Sequence, residues 1–363
     1  MAKRLVHRGH DVTIFCCETE GAPPNVKLVR LPNIALFNHN RNLRFSRAMA
    51  LATANNFDVV AGFNKIPHLD VLYCADPPIP KPLTIFQKLN PRVRGYQRLD
   101  LACFGDQSKT RLLLLADYQM AQFRESYGTA PSRMRVLPPT LERTQVMEAG
   151  ERARARADIR RRLGLSDDAL VWLFVARYPQ SKGLDRVIDA LHAVPAAQCL
   201  CVGFDPAELA RNGLGRLAKR YGVSDRLILL GRTNEAPALI AASDLLVHPS
   251  RKDVTGTVIL EALANGLPVI TTEACGYAAH VIRAGAGIVI SGKFDNDSFR
   301  AALVSAQDAA LRADWRRNAL DYAAREDLYS GLDCAVAEIE EAGRRNLAAA
   351  HLAQRDRSPS PAA

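Results

Sequence analysis

The chain has 363 residues, 48% apolar and 24% charged, with a formal net charge of +10. That length outgrows a single core and predicts two α/β domains, while the lack of any apolar run near the ~20 residues of a bilayer span argues against an integral membrane protein. Eight cysteines without a Cys-x-x-Cys pair point away from zinc and disulfide frameworks and toward buried thiols in a reducing compartment, and the positive charge favours an anionic partner: lipid, nucleic acid or phosphorylated glycan.

The start, Met1-Ala2-Lys3-Arg4, lacks a secretory apolar core, and residues 1–9 read as the end of a helix. Short apolar segments then alternate with polar or helical ones. Strands are predicted at Val12 to Cys16, Val26 to Leu31, Asp58 to Gly62, Val71 to Cys74, Leu112 to Ala116 and Met134 to Leu137. This is the rhythm of a doubly wound parallel sheet. The pattern breaks at Pro138-Pro139 and is followed by a charged helix over Glu151 to Arg162, so a first domain is placed at 1–145 and a second at 146–330. The second repeats the alternation, with strands at Leu170 to Ala176, Gln198 to Gly203, Leu227 to Gly231, Leu245 to His248, Pro268 to Thr272 and Gly287 to Ile290. A helix over 331–354 and a Ser/Pro-rich disordered tail over 355–363 complete the chain.

The richest stretch runs from Lys252 to Ile270. Asp253 lies in a loop before a predicted helix whose first turn, Gly256-Thr257-Val258, offers free NH groups and a positive dipole end to a diphosphate. Glu261, inside that helix, has two oxygens that can accept from a vicinal diol such as ribose. Gly266 caps the helix, and Pro268 prevents its continuation. Arg177 and Lys182 follow a buried strand at a sheet's carboxyl edge, where ligands bind in open α/β folds and where two cations suit a departing diphosphate. Solvated loop charges are the competing reading of that pair taken alone. Gly203-Phe204 and Arg232 fall on the same edge as candidates for a base pocket or for structural roles, and Gly276 would let backbone NH groups approach the donor.

In the first domain, Asp70 is a candidate to orient or deprotonate an acceptor hydroxyl, set against a plain turn or helix cap. Lys65 and His68 are weaker candidates. The segment from Lys81 to Arg98 mixes cations with Ile85, Phe86 and Tyr96, which suits an anionic membrane surface; Pro82 and Pro91 are expected to limit helix there. No nucleic-acid recognition motif is present.

Arg177-x4-Lys182-Gly183, Asp253 and Glu261-Ala262-Leu263-Ala264-Asn265-Gly266-Leu267-Pro268-Val269-Ile270 together resemble the retaining GT-B glycosyltransferases that use nucleotide sugars. More narrowly, Gly62-Phe63-Asn64-Lys65, Leu137-Pro138-Pro139, His248-Pro249, Cys275-Gly276-Tyr277-Ala278 and Glu326-Asp327-Leu328-Tyr329-Ser330 are similar to the lipopolysaccharide core glucosyltransferases.

The resemblance implies two Rossmann-like domains with an interdomain active site, no metal or cofactor, UDP-glucose as donor and an inner-core heptose as acceptor. It also implies a cytoplasmic enzyme, peripheral on the inner face of the inner membrane. By the same resemblance Arg177 and Lys182 hold the diphosphate, Asp253 contacts sugar hydroxyls and Glu261 the ribose. Asp253 stands where the family carries Glu, which shifts the carboxylate by ~1 Å. The family also opens with a strand and a Gly-Gly loop, and this sequence enters after both. Unpaired sheet edges, poor folding and low activity are the expectation. Another sugar nucleotide, an inactive membrane-associated scaffold and a nucleotide-sugar epimerase are the competing functional readings.

Overall fold

The computed structural model describes residues 1–31, 38–54, 56–79 and 84–355. It divides into two compact units, Met1–Pro139 with Ser330–Ala363, and Thr140–Tyr329. The break falls at Pro139/Thr140 rather than 145/146, and the C-terminal helix belongs to the first unit rather than standing apart. The proposed tail beyond residue 355 lies outside the described residues.

The first unit runs α1 (Ala2–His7), β1 (Val12–Cys16), β2 (Val26–Arg30), α2 (Asn38–Thr53), β3 (Ala61–Gly62), β4 (Val71–Cys74), α3 (Ile85–Leu89), α4 (Pro91–Phe104), β5 (Arg111–Leu114), α5 (Tyr118–Tyr127) and β6 (Met134–Val136). Its strands form two parallel sheets, β1-β2 and β3-β4-β5-β6. Pro91 does not limit helix as expected. It occupies the first turn of α4, where a missing NH costs nothing, and Asn90 caps that turn through its side chain.

The second unit continues with α6 (Ala149–Leu163), β7 (Leu170–Val175), α7 (Leu184–Ala193), β8 (Ala197–Val202), α8 (Ala207–Arg211), α9 (Leu214–Arg220), β9 (Leu227–Gly231), α10 (Ala236–Ala242) and β10 (Leu245–His248). It ends with α11 (Thr257–Ala264), β11 (Val269–Thr272), α12 (Ala278–Ala284), β12 (Gly287–Ile290), α13 (Asn296–Ser305) and α14 (Ala309–Arg325). The last helix, α15 (Gly331–Arg355), returns to the first unit.

The second unit's sheet is parallel throughout, in the order β12-β11-β10-β7-β8-β9. Its strands read as continuous apolar runs because both faces are covered. Leu170, Trp172 and Phe174 enter one core cluster, while Val171 and Leu173 enter the other. Burying each such side chain is worth roughly 1.5–3 kcal/mol, which makes β7 a rigid platform for the loop that leaves it. The chain proceeds from β7 outward to β8 and β9, then returns to place β10 on the other side of β7. The switch point between β7 and β10 is where an open α/β sheet leaves a crevice at its carboxyl edge. No helix among the described residues is long and apolar enough to cross a membrane.

Candidate functional site

Two loops flank that switch point: one from β7 to α7, the other from β10 to α11. Their approach is set by Gly183. Its φ of +86° lies in the left-handed region, and a Cβ there would sit 2.2 Å from the Pro249 carbonyl oxygen. Only glycine lets the two backbones come so close. The contact is reinforced by the Arg251 NH donating to the Ser181 carbonyl (3.0 Å) and by the Arg186 guanidinium donating to the Pro249 carbonyl (2.9 Å). Arg251 also makes two charge-assisted bonds to Asp185, at 2.8 and 2.6 Å.

The consequence is that Lys182 and Asp253, far apart in sequence, meet as an ion pair between Nζ and Oδ2. His248, at the end of β10, places Nε2 3.3 Å from the same oxygen. The Asp253 loop is further pinned by its own NH on the Ala274 carbonyl and by the Gly276 NH on the Asp253 carbonyl, both at 3.0 Å. Burial pushes the Asp253 carboxyl up, but the His248 and Lys182 hydrogen bonds outweigh it and hold the carboxyl at about 2. Burial works against protonation of His248, yet its bonds to Asp253 and Cys275 leave its pKa above the ordinary value. Oδ2 is thus saturated, while Oδ1 has no partner among the described residues and is the acceptor left for a ligand hydroxyl.

Gly256, with φ +75°, turns the chain into α11, whose opening residues Thr257 and Val258 present NH groups with no intrahelical acceptor. Glu261 lies farther along the same helix. Burial raises its pKa first, and the neighbouring Glu142 carboxylate raises it further. A ligand hydroxyl pair would replace some of the hydration this carboxylate has lost.

Of the other expected donor residues, Arg177 is exposed beside the Tyr178 ring, 5.7 Å from its centroid, and has no ion-pair partner among the described residues. Arg232 is exposed just past β9. Gly203 has φ +101°, and a Cβ would lie 2.7 Å from the Ala176 carbonyl oxygen, so its glycine serves close strand-end packing. Lys182, Asp253, Gly256, Thr257, Val258 and Glu261 therefore assemble around one switch point, with Arg177, Gly203 and Arg232 on strand-end loops of the same sheet edge.

His248, Asp253 and Cys275 also bring potential metal-ligating atoms within 4.8 Å of one another. The Lys182 ammonium, however, already occupies Asp253 Oδ2, and the Cys275 sulfur accepts a hydrogen bond from the Thr271 hydroxyl at 3.4 Å. In the sequence His248 carries only the His248-Pro249 resemblance, and its place as second partner of Asp253 emerges in the fold. The signal was its position at the carboxyl end of a buried strand.

Asp70 is corrected. Its Oδ2 accepts the Val60 NH at 2.7 Å and its Oδ1 the Asn346 amide at 2.9 Å, and it precedes β4, at the amino edge of that sheet. Both oxygens are engaged in joining β3, β4 and α15, which is a structural task rather than proton transfer. Lys65 is likewise structural, bonded to the Asp100 carboxylate at 2.8 Å and the Pro77 carbonyl at 3.0 Å. Asp100 was missed. It is fully buried and also accepts from the Tyr127 hydroxyl (2.8 Å) and the Ile79 NH (2.7 Å).

Residues 155–323 match the family model described as glycosyl transferases group 1. The chain is 32% identical over 342 residues to the lipopolysaccharide glucosyltransferase WaaG of Escherichia coli (strain K12), covering 91% of this chain and 90% of that protein. It is also 32% identical to a D-inositol 3-phosphate glycosyltransferase of Stackebrandtia nassauensis, over 55% of this chain and 46% of the relative. Among solved structures, the crystal structure of WaaG superposes with a TM-score of 0.80 at 30% identity, covering 93% of each chain. Anabaena HepE in complex with UDP and glucose superposes at 0.67 with 19% identity and 86% coverage of each chain, a likeness of fold alone.

Proposed function

This chain belongs to the group 1 glycosyltransferases of GT-B architecture, and from that premise we propose that it moves glucose from UDP-glucose to the inner-core heptose of lipopolysaccharide, with retention at the anomeric carbon. The observation that carries the reading is the Lys182–Asp253 pair at the switch point, with the Gly256 turn into α11 beside it and Glu261 farther along that helix.

In this reading the diphosphate rests on Lys182, Arg177 and the NH groups of Thr257 and Val258. Glu261 accepts from the ribose hydroxyls, and the free oxygen of Asp253 accepts from the hexose. As the glycosidic bond breaks, negative charge grows on the β-phosphate, and the cations and NH groups aimed at it stabilise that charge. No side chain stands out as a nucleophile. The leaving phosphate itself takes the proton of the acceptor hydroxyl while the new bond forms on the same face. Lys182 supplies the positive charge that a metal ion supplies elsewhere, so chelators are expected to leave turnover unchanged. Trapping of a covalent glycosyl-enzyme would refute the front-face step.

The membrane-facing part of the reading rests on α3 and α4. Ile85, Phe86 and Leu89 are 75%, 86% and 70% exposed, and Arg92, Arg94 and Arg98 are exposed on the next helix. Lys81 lies outside the described residues. Apolar side chains beside cations suit an anionic leaflet, each near-surface cation contributing on the order of 1 kcal/mol. This agrees with a peripheral enzyme on the cytoplasmic face of the inner membrane. Cosedimentation that rises with the anionic lipid content of vesicles is the expected result, and indifference to that content would remove the assignment.

The test of the activity is UDP release with UDP-glucose and truncated lipopolysaccharide ending in heptose, with the product identified by mass. A gain of one hexose on the heptose is expected. The shorter Asp253 favours one alternative, a different hexose donor, and parallel assays with UDP-galactose and UDP-N-acetylglucosamine decide between them.

A further inference from the structure

Three chemically different side chains converge beside the Lys182–Asp253 pair. His248 ends β10, Asp253 lies in the loop that follows, and Cys275 lies in the loop between β11 and α12. Their potential metal-ligating atoms lie within 4.8 Å of one another. The spacing of cysteines along the chain does not announce this trio, because the sheet order brings its members together.

The backbone holds them in place. β10 and β11 pair with His248 opposite Thr271. Asp253 and Cys275 face each other across a parallel bridge, closed by the Asp253 NH on the Ala274 carbonyl and the Gly276 NH on the Asp253 carbonyl. His248 and Cys275 are each 2% exposed, whereas the Asp253 and Lys182 side chains keep 16% and 21%, so the carboxylate is the side from which an ion enters. In a tetrahedral zinc site, metal-to-nitrogen and metal-to-oxygen distances of about 2.1 Å set the two ligand atoms about 3.4 Å apart. His248 Nε2 and Asp253 Oδ2 stand at 3.3 Å. The sulfur belongs about 3.6 Å from each, so Cys275 closes by roughly 1 Å at most.

The surroundings suit a sulfur ligand. The single Thr271 hydroxyl proton lies between the His248 carbonyl at 2.9 Å and the Cys275 sulfur at 3.4 Å. A thiolate attracts that proton more strongly than a thiol does, so the hydroxyl supports the ligand from behind. His248 Nδ1 is buried without a hydrogen-bond partner among the described residues. Nothing locks the ring from that side, and a missing partner of this kind lowers metal affinity by about 10–100-fold, which fits an ion that comes and goes. One thiolate and one carboxylate neutralise a divalent charge, and a mixed nitrogen, oxygen and sulfur set favours zinc or cobalt over magnesium. The Lys182 ammonium that now occupies Oδ2 carries half that charge on a flexible stem.

We propose that His248 Nε2, Asp253 Oδ2 and the Cys275 thiolate bind a divalent transition-metal ion of the zinc class, which displaces the Lys182 ammonium and switches the donor site off. On binding, the Cys275 S–H bond breaks, its proton passes to solvent, the sulfur's electron pair goes to the ion, and water fills the fourth position. Lys182, still protonated, leaves the place where the donor diphosphate needs it. The ion is an inhibitor and not a cofactor. Its effect on turnover rests on the donor-site reading above, and its binding does not.

The probe is Co²⁺, titrated into the full chain with a non-thiol reductant. One equivalent is expected to raise a thiolate-to-cobalt charge-transfer band in the near ultraviolet, and Zn²⁺ to erase it by replacement. Cys275→Ser is expected to lose the band, and a variant carrying Cys16→Ser with Cys17→Ser, at the half-buried vicinal pair, to keep it. Lys182→Ala has no ammonium to displace, so it is expected to bind Zn²⁺ at least tenfold more tightly in competition with a chromophoric chelator. This variant keeps the test decisive should Cys275→Ser prove unfolded in a thermal melt. UDP release is expected to fall at least tenfold at Zn²⁺ saturation and to recover with EDTA. No band, a band that survives Cys275→Ser, or unchanged Zn²⁺ affinity in Lys182→Ala would each overturn the proposal. Zn²⁺ binding that leaves turnover unmoved would overturn the switch. Absence of turnover with and without Zn²⁺ would refute the donor reading instead, and the cobalt spectra would still decide the metal site.

Discussion

Gly183→Ala is the perturbation that most directly probes how the donor site is assembled. The new methyl would sit 2.2 Å from the Pro249 carbonyl oxygen and 3.1 Å from its carbon. Restoring ordinary contact requires the two loops to part by about 1 Å, well beyond what a packed interior absorbs without rearrangement. The residue must also hold φ at +86°, which costs an alanine about 1 kcal/mol or more. The nearest charged group on the moving loop is Lys182, one residue away, so the parting is transmitted to its ion pair with Asp253. A displacement of that size at a positioning group is worth roughly 10²-fold in rate. We expect kcat/KM for UDP release to fall by about two orders of magnitude. Stability should fall by roughly 2 kcal/mol, from the strain plus the weakened contacts of Arg186 and Arg251 with the opposing loop. The assay pairs initial rates with thermal unfolding, so that activity is expressed per folded molecule. If Gly183→Ala unfolds earlier but keeps wild-type kcat/KM, the loop approach serves the fold only and the assembly argument fails.

Two further outcomes follow from the charges. Burial, and then the neighbouring Glu142 carboxylate, raise the Glu261 pKa, so as pH falls it protonates before an ordinary glutamate would and turns one acceptor oxygen of the donor site into a donor. Donor KM is expected to rise as pH falls, with Glu261→Gln showing a weaker but pH-independent KM. Because the folded pKa exceeds the unfolded one, the associated stability is full below the unfolded value and is lost as pH rises through the folded one. Glu261→Gln should therefore be the more stable protein at neutral pH, as read by unfolding midpoints. Asp70→Ala strips partners from the Val60 NH and the Asn346 amide, and is expected to lower stability by about 1–3 kcal/mol while leaving kcat/KM per folded molecule within about threefold of wild type.

How much of this was legible in the sequence depended on whether the cause was local. β7 and β10 could be read because strands buried on both faces are unbroken apolar runs, and α11 because Gly256, Gly266 and Pro268 mark its ends. The β3 strand is shorter than expected because the Val60 NH goes to the Asp70 carboxylate instead of a ladder. That bond also removed Asp70 from the candidate site, and no local pattern announces it. Pro91 was misread for a different reason: the same residue stops a helix inside it and starts one at its first turn. The grouping of α15 with the first unit depends on contacts such as Arg4 and Arg8 with Asp333 and Glu340, which join the two ends of the chain and leave no periodic trace. The Lys182–Asp253 pair was expected as two neighbours of one ligand. Their direct contact, and the part of His248 in it, required the sheet order.

The most direct test of the donor site is calorimetric titration of UDP into the wild-type chain and into Lys182→Ala, Glu261→Ala and Asp70→Ala. The account predicts that each of the first two variants weakens UDP binding at least tenfold and that Asp70→Ala binds as wild type does. Equal affinity across all four proteins would contradict the placement of the nucleotide at the β7–β10 switch point.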